Sequence, residues 1–242
     1  MQIVNHFSIK VSNLVKQFDK KKIIKNISFQ LPSEGIFGIL GKNGAGKTTL
    51  LGLLLGLITP TSGDIFILGK SIRYNRDAVL NQINFQSPYV ELPKKMTVIQ
   101  NLFFYARLYG VVNFREVICK LSEELKINDL LSFNYGSLSA GQKTKVNLCK
   151  SLVNTPKLLL LDEPTASLDP ETSIFIRDYL INYQKQNKST ILLTSHNLDE
   201  IQNMCSYVLL IKSGKVVSRG NIADLLKKNN FLSFKDFFLG HS

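Results

Sequence analysis

The chain predicts an α/β fold with a mainly parallel sheet, and three observations carry that prediction. An apolar run, Gly35–Leu40, leads directly into the glycine-rich stretch Gly41-Lys-Asn-Gly-Ala-Gly-Lys-Thr-Thr49, and a helical pattern follows over Thr48–Leu57. Two later runs, Lys157–Asp162 and Ser189–Thr194, are apolar without alternation, as in strands covered on both faces. Between these landmarks, residues 97 to 126 change to helical periodicity, which reads as an insert within the α/β pattern.

The remaining elements follow in order. Phe7–Leu14 and Ile23–Leu31 carry strand patterning with a lysine-rich turn between them. Residues 63 to 68 read as a short strand, with Gly69 as a turn. Thr97 is placed as the N-cap of a helix that Gly110 stops, and a second helix spans Phe114 to Lys126. Further helices are expected over Lys143–Val153 and Glu171–Gln186. Residues 206 to 219 read as a hairpin turning at Ser213-Gly214, and Ile222–Leu239 as one or two short helices.

With 242 residues and 44% hydrophobic content, the chain can bury a large core as one domain or a domain with a subdomain. No apolar run approaches the roughly 20 residues that span a bilayer, and Met1–Ser12 lacks the apolar core of a signal peptide. The chain therefore reads as cytosolic. Cys119, Cys149 and Cys205 are far apart and form no CxxC pair, so they are expected to be reduced, mostly buried thiols. The net charge of +12 is scattered, as in Lys20–Lys22, Lys94-Lys95 and Lys227-Lys228. It forms no basic stripe interleaved with aromatics of the kind single-strand binders use.

Five stretches carry chemistry. Gly41–Thr49 fits the phosphate-cradling pattern G-x-x-x-x-G-K-[ST]. Gly41, Gly44 and Gly46 let the backbone wrap an anion closely. Lys47 adds positive charge, and the Thr48 hydroxyl can meet Mg²⁺. Asp162 ends an apolar strand, which places a carboxylate at the sheet edge where ligands bind, with Glu163 next to it to activate water. Leu138-Ser-Ala-Gly-Gln142 precedes a helix, and Ser139 there is either a plain N-cap or part of a second anion site. His196 follows a buried strand at the same edge. Gln86 follows the strand-like Ile83-Asn-Phe85 and offers a carbonyl to Mg²⁺ or water; taken singly, a surface Gln is the plainer reading.

Together these stretches resemble the nucleotide-binding domain of ABC-type ATPases, over about residues 7 to 220. The resemblance implies a phosphate-loop NTPase core with a mainly parallel sheet, an N-terminal antiparallel β subdomain and an inserted α-helical subdomain. The implied division is 1–86 and 137–220 for the core with its β subdomain, 87–136 for the helical insert and 221–242 for a short helical extension. It further implies that ATP is held by Gly41, Lys42, Asn43, Gly44, Ala45, Gly46, Lys47, Thr48 and Thr49, with Phe18 stacking on adenine. Thr48, Gln86 and Asp162 would hold Mg²⁺. Glu163 would be the general base, with Lys47 and His196 completing the catalytic set. Ser139, Gly141 and Gln142 of the signature, and Asp169 of the Ser167-Leu-Asp169 loop, would touch ATP across a head-to-tail dimer.

Ala140 stands where Gly is commonest in the family, and Phe18 where Tyr is. The implied partners are separate membrane-spanning permease subunits and a second ATPase cassette, with the protein peripheral on the inner face of the cell membrane and no nucleic acid expected. Residues 96–110 and 231–238 resemble the bacterial drug, lipid and polysaccharide exporter branch. Two other readings stand beside this one. A soluble ABC ATPase acting on nucleic acid or ribosomes usually carries two cassettes or long inserts, whereas a kinase would lack the signature and His196.

Overall fold

The computed structural model describes residues 7–166, 168–228 and 233–241. In chain order the first elements are β1 (Phe7–Phe18), β2 (Lys21–Pro32), β3 (Gly35–Leu40), α1 (Lys47–Leu54), β4 (Ser62–Ile67), β5 (Lys70–Ser71), α2 (Arg76–Leu80) and β6 (Ile83–Gln86). Then come α3 (Val98–Leu108), α4 (Phe114–Glu124), α5 (Ala140–Leu152), β7 (Leu158–Asp162), α6 (Pro170–Asn187) and β8 (Thr190–Ser195). The chain closes with α7 (Leu198–Met204), β9 (Tyr207–Lys212), β10 (Lys215–Asn221), α8 (Ile222–Lys228) and α9 (Phe234–His241).

Successive side chains of a strand face opposite ways, so a strand apolar at every position needs cover on both sides. That is the arrangement found. Leu158, Leu160, Leu192, Phe37 and Ile39 join one core, shared with α1 and with β1, β2 and β4. Their neighbours Leu159, Leu161, Ile191, Leu193 and Leu40 join a second core, shared with α3 to α7. The six-stranded sheet that separates the two cores runs β10-β9-β3-β8-β7-β6. Its pairs from β9 to β6 are parallel, and only the β9–β10 hairpin is antiparallel. The N-terminal sheet, β2-β1-β4-β5, is antiparallel throughout.

The parallel register aligns the strand ends. Leu40 pairs with Ser195 and Leu210, Asp162 with Thr194, and Gln86 with Leu161. The residues that follow β3, β8 and β7 therefore emerge together at one edge of the sheet.

Most predicted elements are found, with instructive differences. β1 and β2 run on to Phe18 and back from Lys21, so the lysine-rich segment is mostly strand and the turn shrinks to Asp19-Lys20. α1 stops at Leu54, short of Leu57, because Gly56 adopts φ 65° and the N–H groups of Leu57 and Ile58 return to the Gly52 carbonyl. α5 starts at Ala140 rather than Lys143, since Ser139 is the N-cap. Thr97 caps α3 in a reciprocal box with Gln100, and Gly110 ends that helix at φ 69°. The Ser213-Gly214 turn has φ of 48° and 79°, as a two-residue hairpin requires. α2, β5 and α7 have no counterpart in the sequence reading. The C-terminal stretch forms two helices, and Phe231 and Leu232 lie outside the described residues. Cys149 and Cys205 are buried and Cys119 is exposed; burial pushes the Cys149 thiol up to about 12, which leaves it unreactive.

Leu160 is fully buried in β7, between β8 and β6 of the larger sheet. Leu160→Ala should cost about 2–5 kcal/mol of stability, read as a lowered midpoint in urea unfolding.

Candidate active site

The site grows from the β3-to-α1 turn. Gly46 is the N-cap of α1 at φ 106°, with no side-chain cap. Helix geometry leaves the first-turn N–H groups of Lys47, Thr48 and Thr49 without intrahelical acceptors, and they point with the helix dipole toward incoming negative charge. At Gly41 a Cβ would stand 2.4 Å from the Ile211 carbonyl oxygen, so β9 packs directly against the loop's first residue. Lys47 is buried, and its ammonium donates to the Gly41 carbonyl at 2.6 Å while lying 3.8 Å from Glu163 Oε1. An open cleft of about 310 Å³ lies in front of the loop, lined by Lys42, Asn43, Gly44, Gly46, Lys47, Thr48 and Thr49. Lys21, Ile23, Tyr89, Asp162 and Glu163 complete its walls.

The carboxylates arrive from β7. Asp162 is buried, and Thr194 Oγ1 on the adjacent β8 donates to its Oδ1 at 2.6 Å. The Thr48 hydroxyl approaches its Oδ2 at 3.4 Å. Glu163 adopts φ 51°, a left-handed conformation rare for a side chain of its size. Its N–H is held by the carbonyl and hydroxyl of Thr194, at 3.1 and 3.2 Å. This turn aims the carboxylate at two cationic or polar partners at once. Oε1 faces Lys47, and Oε2 lies 2.7 Å from His196 Nδ1 and accepts from the His196 N–H at 3.3 Å. Gln86, at the end of β6, uses its amide nitrogen on the Thr144 carbonyl at 3.4 Å. Its buried Oε1 has no partner.

The structure thus gathers Lys42 to Gly44, Gly46 to Thr49, Asp162, Glu163 and His196 around one edge, with Gln86 beside them. Gly41 and Ala45 sit behind the cleft: the Gly41 carbonyl holds Lys47, and the buried Ala45 gives its N–H to the Lys42 carbonyl at 3.1 Å. Phe18 is exposed, with the Lys16 ammonium 4.5 Å from its ring centre. Across the hairpin it pairs with Lys21 of the cleft wall.

Ser139, Gly141, Gln142 and Asp169 do not line the cleft. Ser139 and Gln142 form a capping box, with Gln142 N–H on Ser139 Oγ at 3.3 Å and Ser139 N–H on Gln142 Oε1 at 2.9 Å. Asp169 caps α6 by accepting from Thr172 N–H at 2.8 Å, and that backbone bond holds its carboxyl below the usual carboxylate range. A Cβ on Gly141 would meet Thr172 at 3.5 Å and Asp169 at 3.9 Å, so these two helix starts are neighbours. Ser167 lies outside the described residues. Sequence reasoning gave no role to the Thr194 hydroxyl, to Tyr89 or to the buried Glu200. The threonine's signal was its place two residues before His196, directly after the apolar run Ile191–Leu193.

A glycine-rich loop at a helix start, facing a strand-end carboxylate pair across a parallel sheet, defines a nucleotide site of the phosphate-loop class. Comparison narrows the class. The ABC transporter family model matches residues 24–166. The chain is 31% identical over 224 residues to Nod factor export ATP-binding protein I of Rhizobium sp., covering 92% of this chain and 73% of that one. It is 32% identical over 231 residues to the bacitracin transport ATP-binding protein BcrA of Bacillus licheniformis, covering 94% and 74%. The solved structure of cbiO1 from Clostridium perfringens, described as part of the ABC transporter complex cbiONQ, matches with a TM-score of 0.78 at 28% identity, covering 98% of this chain and all of that one. The chain belongs to the ABC transporter family as an ATP-binding subunit, and membership of this ATP-binding domain implies ATPase activity. Among the described residues, no helix is long and apolar enough to cross a membrane.

Gly41→Ala has no room against a backbone carbonyl and must shift β9 or the loop. It should cost about 1–3 kcal/mol of stability and weaken ATP binding, measured by thermal melting and by titration with a fluorescent ATP analogue.

Proposed function

We propose that this subunit hydrolyses ATP at the interface of a head-to-tail pair of cassettes, and that hydrolysis powers export through separate membrane-spanning permease subunits. The observation that carries the hydrolytic part is Glu163, whose two carboxylate oxygens face Lys47 and His196 at the mouth of the phosphate loop. Oε2 is engaged by the histidine. Oε1 is the free acceptor once Lys47 moves onto phosphate oxygens, so the proton of an attacking water passes to Oε1. His196 holds the carboxylate in that orientation.

The residues present also fit Mg²⁺. Asp162, the Thr48 hydroxyl and the unpartnered Gln86 Oε1 are hard oxygen ligands of the kind that ion takes, together with phosphates and water. When bound, the ion neutralises charge on the phosphates. Thr194 keeps Asp162 oriented for that task.

ATP then lies along Gly41–Thr49, with Phe18 stacked on the adenine. The second cassette, most simply a second copy of this chain, brings Ser139, Gly141, Gln142 and Asp169 to the γ-phosphate. Closure and release of that contact form the power stroke, driven by charge-assisted hydrogen bonds of about 1.5–3 kcal/mol each.

The division of the chain follows the same reading: residues 87–136 are the helical insert that receives a permease helix. Exposed Phe104, Leu108, Val112 and Phe133 in that segment support it. Export is favoured by the name of one relative, the Nod factor export ATP-binding protein. The protein would then sit on the cytoplasmic face of the cell membrane.

Glu163→Gln should cut turnover by about a thousandfold while ATP binding persists, and should trap dimers visible by size-exclusion chromatography. Wild-type turnover in this variant would remove Glu163 from the role of base. Lys47→Ala should lose nucleotide affinity in the same fluorescence titration, and Ser139→Ala should abolish the ATP-dependent dimer.

A further inference from the structure

One buried carboxylate lies next to the site and takes no part in the reaction drawn above. Glu200 of α7 is 1% exposed. Its Oε1 accepts from Thr165 Oγ1 at 2.8 Å, and the Ser195 hydroxyl lies near enough to lower the pKa of the same carboxylate. Thr165 and Ser195 belong to different segments. Thr165 lies two residues beyond Glu163, in a tight turn where Ala166 N–H returns to the Glu163 carbonyl at 3.1 Å. Ser195 immediately precedes His196, and its Oγ accepts from Asn197 N–H at 3.0 Å. Asn197 Oδ1 in turn accepts the N–H groups of Asp199 and Glu200, which anchors α7 to the same loop.

Glu163 and His196 thus come from separate strands, yet their side chains meet at 2.7 Å. We propose that Glu200 is a positioning residue for ATP hydrolysis: its carboxylate ties the turn after Glu163 to the loop carrying His196 and keeps the two in register. This inference rests on the hydrolytic reading of Glu163 and adds to it. Burial raises the pKa of Glu200, and the nearby charge of Glu163 raises it further, while the two hydroxyls and Arg177 oppose them. A group so costly to bury is retained here with Thr165 donating to its carboxylate and its own N–H bound to Asn197 of the His196 loop. Isolated from ligand, it touches the reaction only through Thr165 and Ser195.

The experiment compares Glu200→Ala, Glu200→Gln and Thr165→Val in the full chain with Mg²⁺-ATP. Steady-state kcat and KM, nucleotide affinity and melting temperature are measured for each. Glu200→Ala should lower kcat by about tenfold or more, with nucleotide affinity held within about twofold. Glu200→Gln keeps a carbonyl that can accept from Thr165, so it should recover most of the turnover. Thr165→Val breaks the tie from the other side and should reproduce the loss. The double variant Thr165→Val/Glu200→Ala should be no slower than Glu200→Ala alone, since both remove one connection.

Wild-type kcat in a folded Glu200→Ala protein overturns the proposal, as does parallel loss of kcat and nucleotide affinity. Should Glu200→Ala not fold, Thr165→Val decides, and wild-type turnover there is equally fatal. The underlying reading fails separately: it falls if the wild-type protein does not hydrolyse ATP, or if Glu163→Gln does so at the wild-type rate.

Discussion

Everything at the site depends on the parallel register of β3, β8, β7 and β6. The pairs Leu40–Ser195, Asp162–Thr194 and Gln86–Leu161 bring four distant segments to one level at the carboxyl edge of the sheet. Side chains alternate across a strand, so a slip of one residue in β7 would exchange Leu160 with Leu161 between two cores and turn Asp162 away from Thr194. The apolar faces therefore fix the polar edge. Neither core alone specifies the register; the two together do, because each strand must satisfy both.

The polar edge is then held by bonds across strands. Thr194 uses its hydroxyl on Asp162 and both its oxygens on the Glu163 N–H. This is what makes the left-handed turn at Glu163 tolerable: the backbone groups freed by leaving the strand are taken up by the neighbouring strand. Lys47 and Glu163 partly compensate each other's burial, but at 3.8 Å they form a loose pair. A tight buried pair would resist separation, since removing either partner strands a charge in the interior. A loose one lets the ammonium exchange the carboxylate and the Gly41 carbonyl for other oxygens without a large loss.

How much of this was legible in the sequence differs from residue to residue. The two apolar strands, the glycine-rich loop, the Thr97 cap and the Ser213-Gly214 hairpin were readable because each depends on local chemistry: period, cap or turn. The short helix α7 was not, since its seven residues hold too few periods to stand out and its start is set by Asn197. The length of α1 was misjudged because Leu55 and Leu57 extend the apolar pattern, whereas the helix is ended by the backbone freedom of Gly56. The contact of Glu200 with Thr165 was beyond reach: it joins segments 35 residues apart through side chains that any surface loop also contains.

Ser139 shows why cap and ligand donor need not be alternatives. As the cap of α5 it accepts the Gln142 N–H through an oxygen lone pair. A hydroxyl has one proton to give besides the lone pairs it offers, and capping uses only the latter. The proton of Ser139 remains available to an anion outside the helix, at the end where the dipole of α5 favours negative charge. Capping also fixes the rotamer, so an incoming phosphate meets a donor already in place, and less entropy is lost on contact. The same logic applies to Ala140, whose methyl group adds bulk at the first helical residue but removes no donor, because the N–H groups of the first turn belong to the backbone. A helix start that is well capped is therefore better prepared to receive an anion than one that is frayed.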